Sequence, residues 1–281
     1  TAMAGRLGIT IDLIKFDEIT KNLPMIVDLK PSGTGYMEDL YKAGGSQRIF
    51  YELKDFLYLD AKSVNGTTLG EEIKNSAKWT QNIITDKSNP VFNAGSIAVL
   101  KGTLAPNSAI IKQSAATESL LIHEGRAVVF EGLEDLANRI DRDDLDVTKD
   151  DVLVLKSIGP KGGPGMPEAG LIPIPKKLAK QGVKDMVRIS DGRMSGTASG
   201  TIILHVTPES YENGPLAIVE NGDLIKLDVP KRKIDLMISE EEIAERLLKR
   251  KEISIRRRGY NKIYMEHVTQ ADRGVDFDFL I

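Results

Sequence analysis

The residues from 159 to 168 constrain this chain more than any others. Gly159-Pro160-Lys161-Gly162-Gly163-Pro164-Gly165-Met166-Pro167-Glu168 sets glycine against proline throughout. Neither a helix interior nor a central strand tolerates that composition, because proline has no N–H to donate and glycine loses most freedom on ordering. A second glycine-dense loop follows in Ile189-Ser190-Asp191-Gly192-Arg193-Met194-Ser195-Gly196-Thr197-Ala198-Ser199-Gly200, with a short amphipathic segment and a strand between the two. The chain is therefore organised around two loops, one carrying the carboxylate Glu168 and the other the hydroxyls Ser195 and Thr197. Loops of this kind, set on regular elements, are where chemistry usually resides.

Each loop admits two readings from its residues. In the first, exposed backbone N–H groups could meet an anion while Glu168 reaches a cation. A tight structural turn with a solvent-facing Glu168 fits equally, since the loop lacks the terminal Lys-Ser/Thr of a phosphate-binding loop. In the second, the strand Met186 to Ser190 delivers Ser195 as a nucleophile or a base. The pattern is not G-x-S-x-G, and sequence brings none of the three histidines, His123, His205 and His267, to Ser195, so a hydrolase triad does not follow. His205 sits in the apolar run Ile202 to Val206 and reads as a structural histidine; His123 has no supporting context.

Around the loops the pattern is mostly of short β-type runs. Ile97–Leu100, Ala109–Ile111, Ala127–Phe130, Val152–Leu155, Thr201–Val206, Leu216–Val219, Leu224–Leu227 and Ile234–Ile238 all read as strands, with a helix over Leu133–Ile140. Asn221-Gly222 between two such runs predicts a hairpin turn. Many short strands with few helices predict a closed or nearly closed β-barrel carrying helices outside. Before this, residues 1 to 59 read as helices and loops, and polar turn residues from Ala61 to Pro90 suit a domain edge. Ser239 and Glu242 form a capping-box signature that opens a helix. It runs into basic residues from Arg246 to Arg258, a solvated face beside Glu240-Glu241-Glu242 and not a nucleic-acid patch. The closing alternation Asp276-Phe277-Asp278-Phe279 predicts an edge strand or packed tail, docked on the body or on a neighbouring subunit, from which His267 could point into a site.

At 281 residues the chain exceeds the usual single domain, and 41% apolar with 28% charged residues is an ordinary soluble composition. A formal charge of −3 gives no reason to expect nucleic acid, and no run of about 20 apolar residues suggests a membrane span. With no cysteine, the chain offers no thiolate for an iron–sulfur cluster or zinc. The opening residues carry no secretory pattern, which makes the cytoplasm the default, and the helical start without a cap predicts a fragment of a longer protein.

The motifs GPKGGPGMPE (159–168), ISDGRMSGTASGTIILHV (189–206), GPLAIVENGD (214–223) and DLKPSGTGYMEDLYKAGG (28–45) resemble the dihydroxy-acid and phosphogluconate dehydratase family, which includes the sugar-acid dehydratases. The tail HVTQADRGVDFDFL (267–280) looks more like the arabinonate and xylonate branch. The resemblance implies an α+β fold with a C-terminal swivelling β/β/α barrel preceded by the remnant of an α/β domain. It divides the chain into residues 1–75 as that remnant, 76–250 as the barrel and 251–281 as a docked tail. It further implies a hydro-lyase acting on 2,3-dihydroxy acids with Mg²⁺ and an iron–sulfur cluster whose ligands lie upstream of this chain. Glu168 then matches a Mg²⁺ ligand, Ser195 the base and Thr197 a substrate-binding position; beside the resemblance, the charge of Arg193 suits the substrate carboxylate or else a loop-fixing salt bridge, and His267 is a substrate contact offered by the tail. Partners are the small-molecule acid, the upstream domain and further copies in a homo-oligomer; the chain alone is expected to be inactive. Two alternatives stay open: a branched-chain dihydroxy-acid dehydratase, and a non-catalytic swivelling binding domain.

Overall fold

A computed structural model describes residues 1–74, 76, 81–168, 172–196, 198–250 and 258–280. In chain order the helices are α1 (Ala2–Gly5), α2 (Leu13–Thr20), α3 (Met37–Lys42), α4 (Gly45–Glu52), α5 (Leu69–Ile73), α6 (Leu133–Arg139), α7 (Lys176–Lys180), α8 (Glu240–Lys249) and α9 (Gly259–His267). The strands are β1 (Ile97–Leu100), β2 (Ser108–Lys112), β3 (Ile122–Phe130), β4 (Val152–Leu155), β5 (Arg188–Ser190), β6 (Ile202–Thr207), β7 (Leu224–Asp228) and β8 (Lys233–Leu236). Two compact units result, Glu18–Ser96 and a second made of Thr1–Asp17 with Ile97–Ile281. None of the described helices is long and apolar enough to cross a membrane.

The smaller unit is helical, with a core of Ile26, Ala43 and Ile84. Its extended segments pair through Met25 with Phe92 and Val27 with Ile84. Helix α5 starts at a reciprocal cap in which Thr68 accepts from the Glu71 N–H and Glu71 accepts from the Thr68 N–H, satisfying two donors that a helix start otherwise leaves open.

The larger unit is a mixed α/β sheet of eight strands in the order β1-β2-β6-β5-β4-β3-β7-β8. The expected nearly closed barrel is present. Lys101, just past β1, pairs with Lys233 of β8: its N–H donates to Arg232 O at 2.9 Å and its O accepts from the Ile234 N–H at 3.1 Å. Thr103 adds to this seam, its hydroxyl donating to Leu236 O and accepting from the Leu236 N–H. The middle of the sheet, β3-β4-β5-β6, is parallel, while β1, β2, β7 and β8 run antiparallel to their neighbours.

The parallel block is buried on both faces, as parallel sheets generally are. Alternate residues divide between two cores. Ala127, Val129, Val152, Val154 and Ile189 pack in one cluster with residues of β1, β2, β7 and β8. Val128, Phe130, Leu153 and Leu155 pack in the other with Leu136 and Ile140 at α6 and Leu178 of α7. This two-sided burial explains the continuous apolar runs that mark these strands in the sequence.

Two expectations fail here. Leu216–Val219 is not a strand, since Pro215–Ile218 forms a 3₁₀ turn with proline at its first position, where its missing N–H costs nothing. Asn221-Gly222 is not a hairpin turn either. The Asn221 side-chain oxygen accepts from the Val129 N–H at 2.7 Å and the Gly222 N–H donates to Ala127 O, so the turn joins β3. The hairpin instead links β7 to β8 through a turn closed by the Arg232 N–H on Val229 O, with Arg232 at φ +57°.

Candidate functional site

Because β3, β4, β5 and β6 run parallel, their carboxyl ends lie along one edge of the sheet. Ligand sites of parallel α/β sheets characteristically lie outside such an edge. Glu131 follows β3, the loop to Glu168 follows β4, the loop carrying Ser195 follows β5, and Pro208–Gly214 follows β6. The two glycine-dense loops thus leave neighbouring strands side by side.

Two fully buried carboxylates knit these loops together. Asp191, directly after β5, accepts from the N–H groups of Ser157 (3.3 Å) and Ile158 (3.1 Å) beyond β4, and of Ser210 (2.9 Å) beyond β6. Glu209, after β6, accepts from the N–H groups of Lys161 (2.9 and 3.0 Å) and Gly162 (3.0 Å). Burial pushes both carboxyls above the ordinary range, opposed by these backbone donors. The charge of Asp191 raises Glu209 further. Glycine is required at two points of this loop: a Cβ at Gly159 would stand 2.6 Å from the Glu209 carboxylate, and one at Gly162 would stand 2.5 Å from the backbone carbonyl of Ser157.

The far end of the Ser195 loop is anchored separately. Buried Arg188 of β5 donates to Asp185 (2.7 Å), Ser199 O (3.1 Å) and Ile172 O (3.2 Å). Asp185 in turn accepts from the Thr201 N–H and hydroxyl. Burial holds the Arg188 guanidinium below its usual range despite the attraction of Asp185. The loop is therefore clamped at both ends, by Asp191 and by the Asp185–Arg188 pair.

Of the residues singled out in the sequence, Glu168 and Arg193 meet. Their backbones form an isolated bridge, and Arg193 Nη1 lies 3.4 Å from Glu168 Oε1. Arg193 Nε also donates to Met166 O at 2.7 Å, so this side chain fastens one glycine loop to the other. Both side chains remain nearly half exposed, where an ion pair contributes at most about 1 kcal/mol and can be exchanged for a ligand. Ser195 lies two residues beyond Arg193, half-buried, with its carbonyl accepting from the Ala198 N–H. Thr197 falls outside the described residues. His267 is engaged within the tail, Nδ1 at 2.9 Å from Asp278 Oδ1 and its ring edge-on to Phe279.

His205 lies behind the Arg193 loop, its N–H donating to Gly192 O at 3.2 Å. Burial lowers the imidazole pKa and the positive charge of Arg193 lowers it further. His123 is held by Asp150 O at 2.8 Å, a structural contact.

Among the described residues, no group of three or more His, Cys, Asp or Glu side chains could hold a metal. The Glu168 carboxylate is an oxygen donor of the kind that hard cations take. Sequence reading missed Asp191 and Glu209. The available signal was an acidic residue directly past an apolar strand run, which a carboxylate does not occupy without backbone donors to meet it.

The chain matches two family models, dihydroxy-acid/6-phosphogluconate dehydratase N-terminal over residues 1–72 and dihydroxy-acid/6-phosphogluconate dehydratase C-terminal over residues 82–275. It is 45% identical over 282 residues to an L-arabinonate dehydratase of Rhizobium leguminosarum, covering 99% of this chain and 49% of that relative. A 6-deoxy-6-sulfo-D-gluconate dehydratase of Pseudomonas putida is 40% identical over 283 residues, 99% of this chain and 49% of the relative. A dihydroxy-acid dehydratase of Methanococcoides burtonii is 38% identical over 278 residues, 97% and 50% respectively. The chain spans about half the length of the curated relatives it matches.

Proposed function

The chain belongs to the dihydroxy-acid/6-phosphogluconate dehydratase family, and we propose that it is the downstream part of a hydro-lyase that converts an aldonate to a 2-keto-3-deoxy acid. One observation carries the reading: Glu168 and Ser195 stand on loops from adjacent parallel strands, joined through the Glu168–Arg193 bridge. The sugar-acid preference rests on the relatives, since identity to the L-arabinonate dehydratase is 45% against 37–40% for four dihydroxy-acid dehydratases.

Dehydration needs a base for the C2 proton, assistance for the departing C3 hydroxyl and positive charge near the carboxylate. The Ser195 alkoxide takes the C2 proton, the C2–H electron pair becomes the C2–C3 double bond, and the C3–O pair leaves with the hydroxyl, which receives that proton back from Ser195 and departs as water. The resulting enol then tautomerises to the 2-keto acid. A serine hydroxyl is a weak base, so its alkoxide needs cationic charge nearby, a role for which Arg193 is the candidate in the same loop. Arg193 also suits the substrate carboxylate, giving up its half-exposed contact with Glu168 to bind it. Thr197 and His267 complete the substrate contacts. Mg²⁺, with Glu168 as one of its ligands, and an iron–sulfur cluster held upstream of this chain would supply Lewis acidity when bound.

The test is the full-length enzyme with its upstream half restored, loaded with cluster and Mg²⁺ and assayed on a panel of aldonates and 2,3-dihydroxyisovalerate. Turnover of an aldonate is the expected result; exclusive turnover of 2,3-dihydroxyisovalerate would move the chain to the branched-chain class. Failure on every substrate would favour a binding module. Ser195→Ala is expected to lower kcat by about 10²–10⁴, and unchanged turnover would remove Ser195 from the role of base.

A further inference from the structure

The tail beyond α8 does more than cover the barrel. Gln270, after α9, pairs its carboxamide with Glu209 at two points: Nε2 donates to Glu209 Oε1 at 2.6 Å, and Oε1 accepts from the Glu209 N–H at 2.8 Å. The same Glu209 carboxylate holds the Lys161 and Gly162 N–H groups of the glycine loop. Burial raises the pKa of the Tyr264 hydroxyl on α9, and the Gly165 backbone of that loop acts in the opposite sense. The tail is itself braced, with Val268 bridging to Phe277 and Tyr264 edge-on to Phe277.

From these contacts we propose that Gln270 is a positioning residue for the loop that carries Glu168, acting through Glu209. An amide is required because Glu209 has an acceptor facing it and a donor beside it. A carboxamide offers one donor and one acceptor side by side, whereas a carboxylate offers only acceptors. A carboxylate at 270 would set two negative oxygens at hydrogen-bond distance in a buried site. The loop amides would then lose the orientation of the oxygens that hold them. That the displaced loop matters to a cation rests on the reading of Glu168 as a metal ligand; the effect on the loop itself does not.

The experiment is amide hydrogen exchange on the full-length protein, with Gln270→Glu and the swapped double variant Glu209→Gln/Gln270→Glu. The swap restores a donor–acceptor pair, since the carboxamide oxygen introduced by Glu209→Gln still accepts from the loop while its NH₂ donates to the carboxylate at 270. Protection at Lys161 and Gly162 is expected to fall about tenfold or more in Gln270→Glu and to return in the swap. Unchanged protection in the single variant, or no recovery in the swap, overturns the proposal. Should Gln270→Glu lose protection throughout β3 and β4, Gln270→Met, which removes both hydrogen bonds without adding charge, decides the matter by the same local readout. In the cluster-loaded enzyme, the Mg²⁺ concentration for half-maximal turnover should rise several-fold in Gln270→Glu and recover in the swap. An unchanged requirement beside altered exchange removes the link to Glu168. If the wild type turns over no dihydroxy acid, the functional reading fails while the exchange result still decides the positioning role.

Discussion

Single side chains here act by linking backbone segments that are remote in sequence. Asp191 accepts three N–H groups from two other loops, and an amide in its place keeps only one accepting oxygen. Asp191→Asn should therefore cost about 1–3 kcal/mol, measurable by chemical denaturation. The loops that hold Glu168 and Ser195 were legible in the sequence because glycine and proline announce them. Asp191 and Glu209 were not, since nothing local to Ser-Asp-Gly or Pro-Glu-Ser tells which distant N–H groups they will meet. The Arg6–Asp276 pair shows the same remoteness, a half-exposed guanidinium on a buried carboxylate, with contacts of 2.6 and 2.7 Å. Hydrogen bonding to Arg6 holds the Asp276 carboxyl down to about 2 from its ordinary 3.8. A lowered carboxylate pKa adds stability that is whole above the unfolded value and is lost as pH falls through the folded one. The contact should then persist at pH 4 and fade toward pH 2, and Arg6→Gln should return the Asp276 titration, followed by carboxyl NMR, to the ordinary range.

At the scale of elements, the strands were readable where burial on both faces produces an unbroken apolar run, as in Val152–Leu155. They were misread where an apolar run starts at a proline, as at Pro215, because composition records hydrophobicity and not the missing N–H. The parallel direction of β3 to β6 left no mark in the residues, although it is what brings the two glycine loops to one edge. Leu153 is completely buried between β4 and the outer helices, so Leu153→Ala should destabilise the unit by about 2–5 kcal/mol, read from the shift in the denaturant midpoint. Gly162→Ala tests the loop: its new Cβ meets the Ser157 carbonyl and must push the loop off Glu209. We expect lower exchange protection at Lys161 and Gly162 with β4 protection intact, whereas protection equal to wild type would show that the loop absorbs the methyl group.

For the barrel as a whole, closure depends on a narrow seam between Lys101–Thr103 and Arg232–Leu236, where Thr103 both donates to and accepts from Leu236. Thr103→Val keeps the shape of the side chain and removes those bonds. A loss of about 1–3 kcal/mol is expected, measurable in equilibrium unfolding of the chain. The seam joins the first strand in the sequence to the last, so it closes a very long loop of chain, while the β7–β8 hairpin beside it closes over a few residues. Forming contacts across so long a separation requires most of the chain to be ordered already. The seam should thus be the last joint to set during folding and absent from the transition state. In stopped-flow measurements, Thr103→Val should leave the refolding rate almost unchanged and put nearly all of its destabilisation into faster unfolding. The residues that shut the barrel would then govern how long it survives once folded, and have little influence on how quickly it forms.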